Sequence, residues 1–365
     1  MLVRSLDAEK LKQIGAKTGD PALAEKVHRA FCFLETLVKE GFEFVFKGGS
    51  AVMLLLDQAQ RFSIDIDIIY KNELSEELLS TIINDTIFLE IKKQKRHGEQ
   101  QVPKSHFKVY YKSILKSTDE KDFILLDVLH DDSAYPALQD TQICLPFLPS
   151  NGESLTVKTP TIGGICGDKL TAFAPSTIGI PYSKNGQSCA FEIAKQMFDI
   201  GCLFNKIQSI QDVASAFGCI GKKEAHYRNM TFDAEEVIAD ILNTSLTICT
   251  EGKEGKGNYS ELKKGITSLK SYVFSRRYSF QNAQTDAAKA AYLAGQILVG
   301  GEKLSRFEPT VDLKSLKTPQ KQINALKKSA PEAFYYWYKI FEIAQISQQT
   351  ILLSLFDQHS MNEHS

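Results

Sequence analysis

No two cysteines in this chain are spaced C-x-x-C, and the seven cysteines form an odd set scattered from Cys32 to Cys249. That pattern argues against a disulfide framework and a cysteine zinc site, and fits a reducing cytoplasm. No apolar run approaches the roughly 20 residues of a membrane span. The opening MLVRSLDAEKLKQIG lacks an apolar h-region. The expectation is a soluble, cytoplasmic protein with no membrane partner. Net charge is nearly absent, formally −1. The field of the whole protein therefore gives no pull toward nucleic acid or anionic lipid, and any polyanion site must be a local patch. Tryptophan occurs once, and no internal repeat of fixed period is visible. What is present is ordinary globular material: 43% apolar residues over a length of 365, enough for two domains with real cores.

Apolar positions at helical spacing mark Pro21 to Glu40, with Pro21 suited to a helix start and Gly41 to its stop. FEFVFK (42–47) is rich in β-formers and predicts a strand. GGS interrupts, and AVMLLL (51–56) predicts a short helix. FSIDIDIIY (62–70) alternates and predicts a second strand. SEELLSTIIND (75–85) predicts an amphipathic helix opened by Ser75, with Leu78 and Leu79 inward. Three more strands are expected at 86–94, 106–114 and 122–130, and 131–160 reads as irregular and proline-punctuated. Residues 159–173 and 191–207 predict helices around a Pro/Gly/Ser-rich loop at 175–188. Beyond about 208 the periodicity is helical, interrupted by EGKEGKGNYS (251–260) and by 306–320. The tail HSMNEHS is expected to fray. The fold expected is α+β: a mixed sheet with flanking helices in a domain over 1–205, followed by a helical bundle over 206–365.

The chemistry concentrates in KGGSAVMLLLDQAQRFSIDIDIIY, Lys47 to Tyr70. Asp65 and Asp67 stand two apart in a predicted strand, so both side chains leave one face while Ile64, Ile66 and Ile68 take the other. Two carboxylates side by side repel. A divalent cation relieves that repulsion, and oxygen ligands suit Mg²⁺ or Mn²⁺. Phosphoryl and nucleotidyl transfer use such a pair. Gly48, Gly49 and Ser50 sit between a strand and a helix. Glycines admit phosphate oxygens to the backbone, and a helix N-terminus favours anions. A third acid is expected on a neighbouring strand, and Asp127, among Ile124, Leu125, Leu126, Val128 and Leu129, fits. Taken singly, D-x-D is common, GGS is usually a turn, and an Asp in an apolar strand is often an edge residue. Their joint order carries the reading.

This stretch resembles motif I of the DNA polymerase β nucleotidyltransferase superfamily, G-S followed by D-x-D. More closely, it resembles the AbiEii/AbiGii toxin family, with its GGT/GGS-A-L…R-x-S-x-D-x-D signature. ILLDVLH (124–130) is similar to the family's third-carboxylate strand at Asp127. Pro160 to Leu170, ending GDKL, is similar to its E-K-L helix and puts the functional lysine on Lys169. AKQMFDIGCLF (194–204) is similar to its R-D-L-Y-D-L helix and puts the functional aspartate on Asp199. Gln196 stands where that helix has its first Asp.

The resemblance implies a metal-dependent nucleotidyltransferase taking a nucleoside triphosphate (NTP). It implies the toxin of a toxin–antitoxin system with a cognate antitoxin, acting on a tRNA acceptor end. Asp65, Asp67, Asp127 and Lys169 would be catalytic. Gly48, Gly49, Ser50, Ser63, Lys169 and Asp199 would bind the nucleotide. Arg61 and Ser63 would either touch phosphate or close a turn. For Lys169 the bland alternative is a solvated helix lysine, and for Asp199 an i, i+4 partner of Lys195. A protein-modifying transferase and an inert nucleotide- or antitoxin-binding module remain alternatives. Two basic runs could serve RNA: KKQKR (92–96), and Lys253 to Arg277 interleaved with Tyr259, Tyr272, Phe274, Tyr278 and Phe280. Their alternatives are solvated faces and core aromatics. EAFYYWYKIF (332–341) reads as bundle core.

Overall fold

The computed structural model describes residues 1–83, 87–94, 102–116 and 120–356. It divides into two compact units, Met1–Thr161 with Tyr272–Arg277, and Ile162–Ser271 with Tyr278–Ser365.

The first unit contains helices α1 (Ala8–Thr18), α2 (Pro21–Lys39), α3 (Gly48–Leu55) and α4 (Glu76–Ile82). Its strands are β1 (Val45–Lys47), β2 (Ile66–Ile69), β3 (Phe88–Lys93), β4 (Lys104–Lys112), β5 (Lys121–Leu129), β6 (Leu138–Gln142) and β7 (Thr156–Pro160). They make one mixed sheet in the order β3-β4-β5-β2-β1-β7-β6. β2 runs parallel to β5 and β1 parallel to β7, and the remaining pairs are antiparallel. Asp20 caps α2 by accepting from Ala22 N and Leu23 N, and Pro21 takes the first turn as expected. Gly41 ends it with φ +78°. The buried face of α2, including Phe31, Phe33 and Leu34, forms the core, with Phe31 edge-on to Phe46 of β1 at 6.2 Å.

Several expectations shift. Residues 62–70 do not form one long strand, because only Ile66–Ile69 enters the ladder. Upstream, Arg61 bridges Val273, and Phe62 N donates to Tyr272 O at 2.9 Å. This pairing explains why Tyr272–Arg277 belongs to the first unit. Residues 131–160, read as irregular, hold β6 and β7, joined by backbone bonds and a 2.7 Å hydroxyl bond between Thr141 and Thr159. α1 was not anticipated; Asp7 caps its start and Gly19 its end. Leu79 is inward on α4 but Leu78 is exposed, because this seven-residue helix presents one narrow face to β3. The ends of the predicted 75–85 helix and 86–94 strand, part of KKQKR and the HSMNEHS tail lie outside the described residues.

The second unit is helical: α5 (Ile162–Ala172), α6 (Ala190–Phe204), α7 (Ile210–Tyr227), α8 (Ala234–Cys249), α9 (Tyr259–Leu269), α10 (Phe280–Leu298), α11 (Lys321–Ser329), α12 (Pro331–Ser347) and α13 (Thr350–Ser354). A two-stranded ribbon of β8 (Ser183–Lys184) and β9 (Gln187–Ser188) is set in the loop before α6. Helices therefore gather from residue 162, ahead of the boundary at 205 expected from the sequence. The cause is α5, which packs on α7 and α6. Gly167 lets α7 close in, since a Cβ there would stand 2.7 Å from Phe217 N and Val213 O. Trp337, fully buried on α12, belongs to the bundle core as expected. The fold class is α+β.

Candidate active site

The register of four adjacent strands assembles the site. Lys47 on β1 lies opposite Asp67 on β2, Asp67 beside Asp127 on β5, and Asp127 opposite His106 on β4. Residues in register share a face. Lys47, Asp67, Asp127 and His106 therefore form one polar row, while the alternate residues Ile66, Ile68, Leu126 and Val128 are buried in the core. Ile64 is only half-buried, because it precedes the ladder.

The glycine turn that opens α3 lies against Asp67 in this row. Gly48 has φ +76°, and a Cβ there would run into the Asp67 carboxylate, so glycine is required on both counts. A Cβ at Gly49 would meet the Arg61 guanidinium and Ser63 Oγ at 2.6 Å each, so both side chains reach the loop. Arg61 is buried, and its Nη1 donates to Phe62 O at 2.9 Å. Ser50 is fully buried in the first turn of α3, and its hydroxyl donates to Asp65 O at 2.5 Å. The expectation that Ser50 adds a hydroxyl to an anion pocket is thus modified: it ties the loop to the residue leading into β2. At the start of α3 the Lys47 side chain makes no cap bond. The Lys47 ammonium lies 5.6 Å from the Tyr135 ring centroid.

Asp127 Oδ1 accepts from His106 Nδ1–H at 2.6 Å. The imidazole is nearly sealed, at 7% side-chain exposure, and the carboxylate keeps 29%. Asp65 lies ahead of the strand and is half-buried. Among the described residues no three His, Cys, Asp or Glu side chains are gathered closely enough to hold a metal ion. The three acids expected to converge are therefore not a ready-made cage: Asp67 and Asp127 stand side by side in register, and Asp65 precedes the ladder. The donor set still suits a hard cation, since it consists of carboxylates on a half-exposed face bordered by a glycine loop. Neither His106 nor a role for Lys47 is among the sequence expectations. The visible signal for His106 was a histidine in a β-rich segment facing a suspected functional strand.

In the second unit, Lys169 on α5 and Asp199 on α6 pair at 3.1 Å with side-chain exposures of 7% and 2%. Lys169 is therefore no solvated lysine. Burial first, and then the Asp199 charge, push the neighbouring Cys166 thiol far above its ordinary range. Lys195 meets Glu192 at 3.7 Å, and Gln196 is half-buried with its amide donating to Glu192 O.

The aromatics of the second basic run serve packing. Phe274 packs at a tilt against Phe62, ring centroids 4.7 Å apart, within the first unit. In the second unit Tyr278 packs on Phe198 and donates to Asp286 Oδ2 at 2.7 Å. Lys253, Lys256, Lys263, Lys264, Lys270, Arg276 and Arg277 are exposed. In the first run Lys92 pairs with Glu90 at 3.1 Å, and Lys95 and Arg96 lie outside the described residues. No helix among the described residues is long and apolar enough to cross a membrane.

No curated protein matches the chain. Among solved structures it is similar to MenT4, a nucleotidyltransferase toxin of Mycobacterium tuberculosis, at 12% identity and TM-score 0.49, covering 89% of this chain and 98% of that one. It is also similar to a nucleotidyltransferase structure from Helicobacter pylori, at 14% identity and TM-score 0.42, covering 80% and 96%. A nucleotidyltransferase-like protein of Paracoccidioides brasiliensis matches at 14% and TM-score 0.33, covering 63% and 97%. The family model described as "Nucleotidyl transferase AbiEii toxin, Type IV TA system" matches residues 33–272. With the glycine loop, the D-x-D segment and the Asp127 strand all inside that span, the chain belongs to the AbiEii nucleotidyl transferase toxin family.

Proposed function

We propose that this toxin-family transferase moves a nucleoside monophosphate from an NTP to the acceptor end of tRNA, in a reaction that requires Mg²⁺ or Mn²⁺. The observation that carries the reading is the register pairing of Asp67 with Asp127 beside the Gly48-Gly49 loop. Asp67 and Asp127, joined by Asp65, would hold the cation. When bound, such an ion offsets triphosphate charge and lowers the pKa of an attacking hydroxyl.

The chain's own residues supply the rest. Gly48 and Gly49 let phosphate oxygens approach the backbone, where a larger residue could not stand. Ser63 and Arg61, set against Gly49, offer a hydroxyl and a fixed cation to the same phosphates. Ser50 keeps the loop and Asp65 together. For Lys169 we propose a part in nucleotide binding, its ammonium held by Asp199 at 3.1 Å. Exposed Lys253, Lys256, Lys263 and Lys270 supply phosphate contacts for the RNA. A cognate antitoxin is the expected protein partner.

The acceptor is tested by incubating the protein with whole-cell lysate, Mg²⁺ and each of the four NTPs labelled at the α-phosphate. Labelled product of tRNA size that RNase destroys is the expected result. RNase-resistant label on protein would make the chain a protein-modifying transferase. Mg²⁺-dependent triphosphate binding without label in either fraction would make it an inert binding module.

A further inference from the structure

The polar row ends at a residue with no role so far. His106 lies directly opposite Asp127 in the β4/β5 ladder, and its ring is almost wholly withdrawn from solvent. On the other side of β4, Gln94 N donates to His106 O at 2.7 Å, so the histidine backbone is pinned from both neighbours. Its Nδ1–H then donates to Asp127 Oδ1 at 2.6 Å. A hydrogen bond to a carboxylate is short and strong when the donor is fixed. A half-exposed aspartate would otherwise spread over its rotamers. One oxygen is thereby committed to the protein, and Oδ2 remains for a ligand.

We infer that His106 is a positioning residue, holding Asp127 by Oδ1 so that the acid meets a divalent cation in one orientation. Partners that orient a ligating group in this way typically contribute 10–100-fold in metal affinity. The inference rests on Asp127 being one of the cation-holding acids.

The test is a Mn²⁺ titration of the full chain, followed by loss of the free-ion paramagnetic resonance signal. Each variant's melting temperature is measured in parallel. His106→Phe keeps a ring and removes the donor. His106→Asn returns an N–H near the position of Nδ1, whereas His106→Gln places one nearer the position of Nε2. Asp127→Asn controls for the acid. The expected result is a loss of about 10–100-fold in Mn²⁺ affinity for His106→Phe and His106→Gln. His106→Asn should recover most of it, and Asp127→Asn should lose at least as much as His106→Phe. Wild-type affinity in His106→Phe or His106→Gln, beside a weakened Asp127→Asn, overturns the role of His106. Wild-type affinity in Asp127→Asn overturns instead the reading of Asp127 on which it rests. Equal weakening of His106→Asn and His106→Gln in step with lowered melting temperatures assigns His106 to packing and overturns the inference. The Asn/Gln contrast decides the matter even if the Phe variant does not fold.

Discussion

Charge is held in opposite ways in the two units. In the sheet, Asp67 and Asp127 stand in register as like charges, both half-exposed. In the helical unit, Lys169 and Asp199 neutralise one another at 3.1 Å almost out of contact with water. Two carboxylates side by side repel, so such a pair is by itself a poor structural element. A buried opposite pair offsets much of its own desolvation, and it becomes costly only when one partner is removed. The difference separates acids set side by side on a half-exposed sheet face from an acid that organises a buried lysine.

The largest expected effect tests the first half of that contrast. Asp67→Ala should lower nucleotidyl transfer by about 10³-fold or more, the scale seen when a group organising phosphoryl-transfer charge is lost. Its urea midpoint should stay level or rise, as expected for relief of a strained functional site. A variant that loses several kcal/mol of stability would make Asp67 structural and break the comparison. Next, Asp199→Ala should cost about 3–5 kcal/mol in urea unfolding, because it strands a buried ammonium. The double variant Lys169→Met with Asp199→Leu should recover much of that loss, and a double variant no more stable than Asp199→Ala would refute the explanation.

A third contrast concerns a buried group without an opposite charge. Burial drives His28 down from 6.5 to about 4, the Val3 carbonyl opposes this, and the positive charges of Arg29 and Arg4 add to it. The unfolded chain therefore binds the proton more readily than the folded one. The stability this histidine permits is complete above about pH 6.5 and lost as pH falls toward 4, amounting to about 3 kcal/mol. Urea unfolding of wild type and His28→Gln at pH 7 and pH 4.5 should show the steeper decline in wild type. Parallel declines would place the pH dependence elsewhere.

The smallest effect sharpens the glycine argument. Gly41 and Gly48 both have positive φ, but a Cβ at Gly41 meets open space and one at Gly48 meets Asp67. Gly41→Ala should cost about 1 kcal/mol in stability and leave activity unchanged. Gly48→Ala should cost more and also reduce transfer. Equal effects on both measurements would remove the loop from the site.

Much of this site could be read along the chain because its parts are local. Alternating Asp65-Ile66-Asp67-Ile68 needs only the twofold period of a strand, and GGS before an apolar run needs only turn chemistry. Asp127 was legible as a charge in an apolar strand. His106 was not, because its meaning depends on the pairing of two strands whose register no local pattern specifies. β6 and β7 were missed because LQDTQ and TVKTP carry few apolar residues and are joined by backbone and threonine bonds. α1 escaped because Leu11 and Ile14 are its only large buried apolar residues, although Asp7 and Gly19 bracket it. The start of the helical unit at residue 162 is not legible in the sequence because an apolar, glycine-bearing helix such as α5 suits a sheet face as well as a bundle.

In the proposed function the Asp67–Asp127 pair directs attack at the α-phosphate of an NTP. Parallel reactions with α-labelled and γ-labelled NTP, in Mg²⁺ and in chelator, test it most directly. The expected result is Mg²⁺-dependent incorporation of the α label, release of the γ label as pyrophosphate, and loss of both in Asp67→Ala and Asp127→Ala. Incorporation of the γ label, or α-label transfer undiminished in both variants, would contradict it.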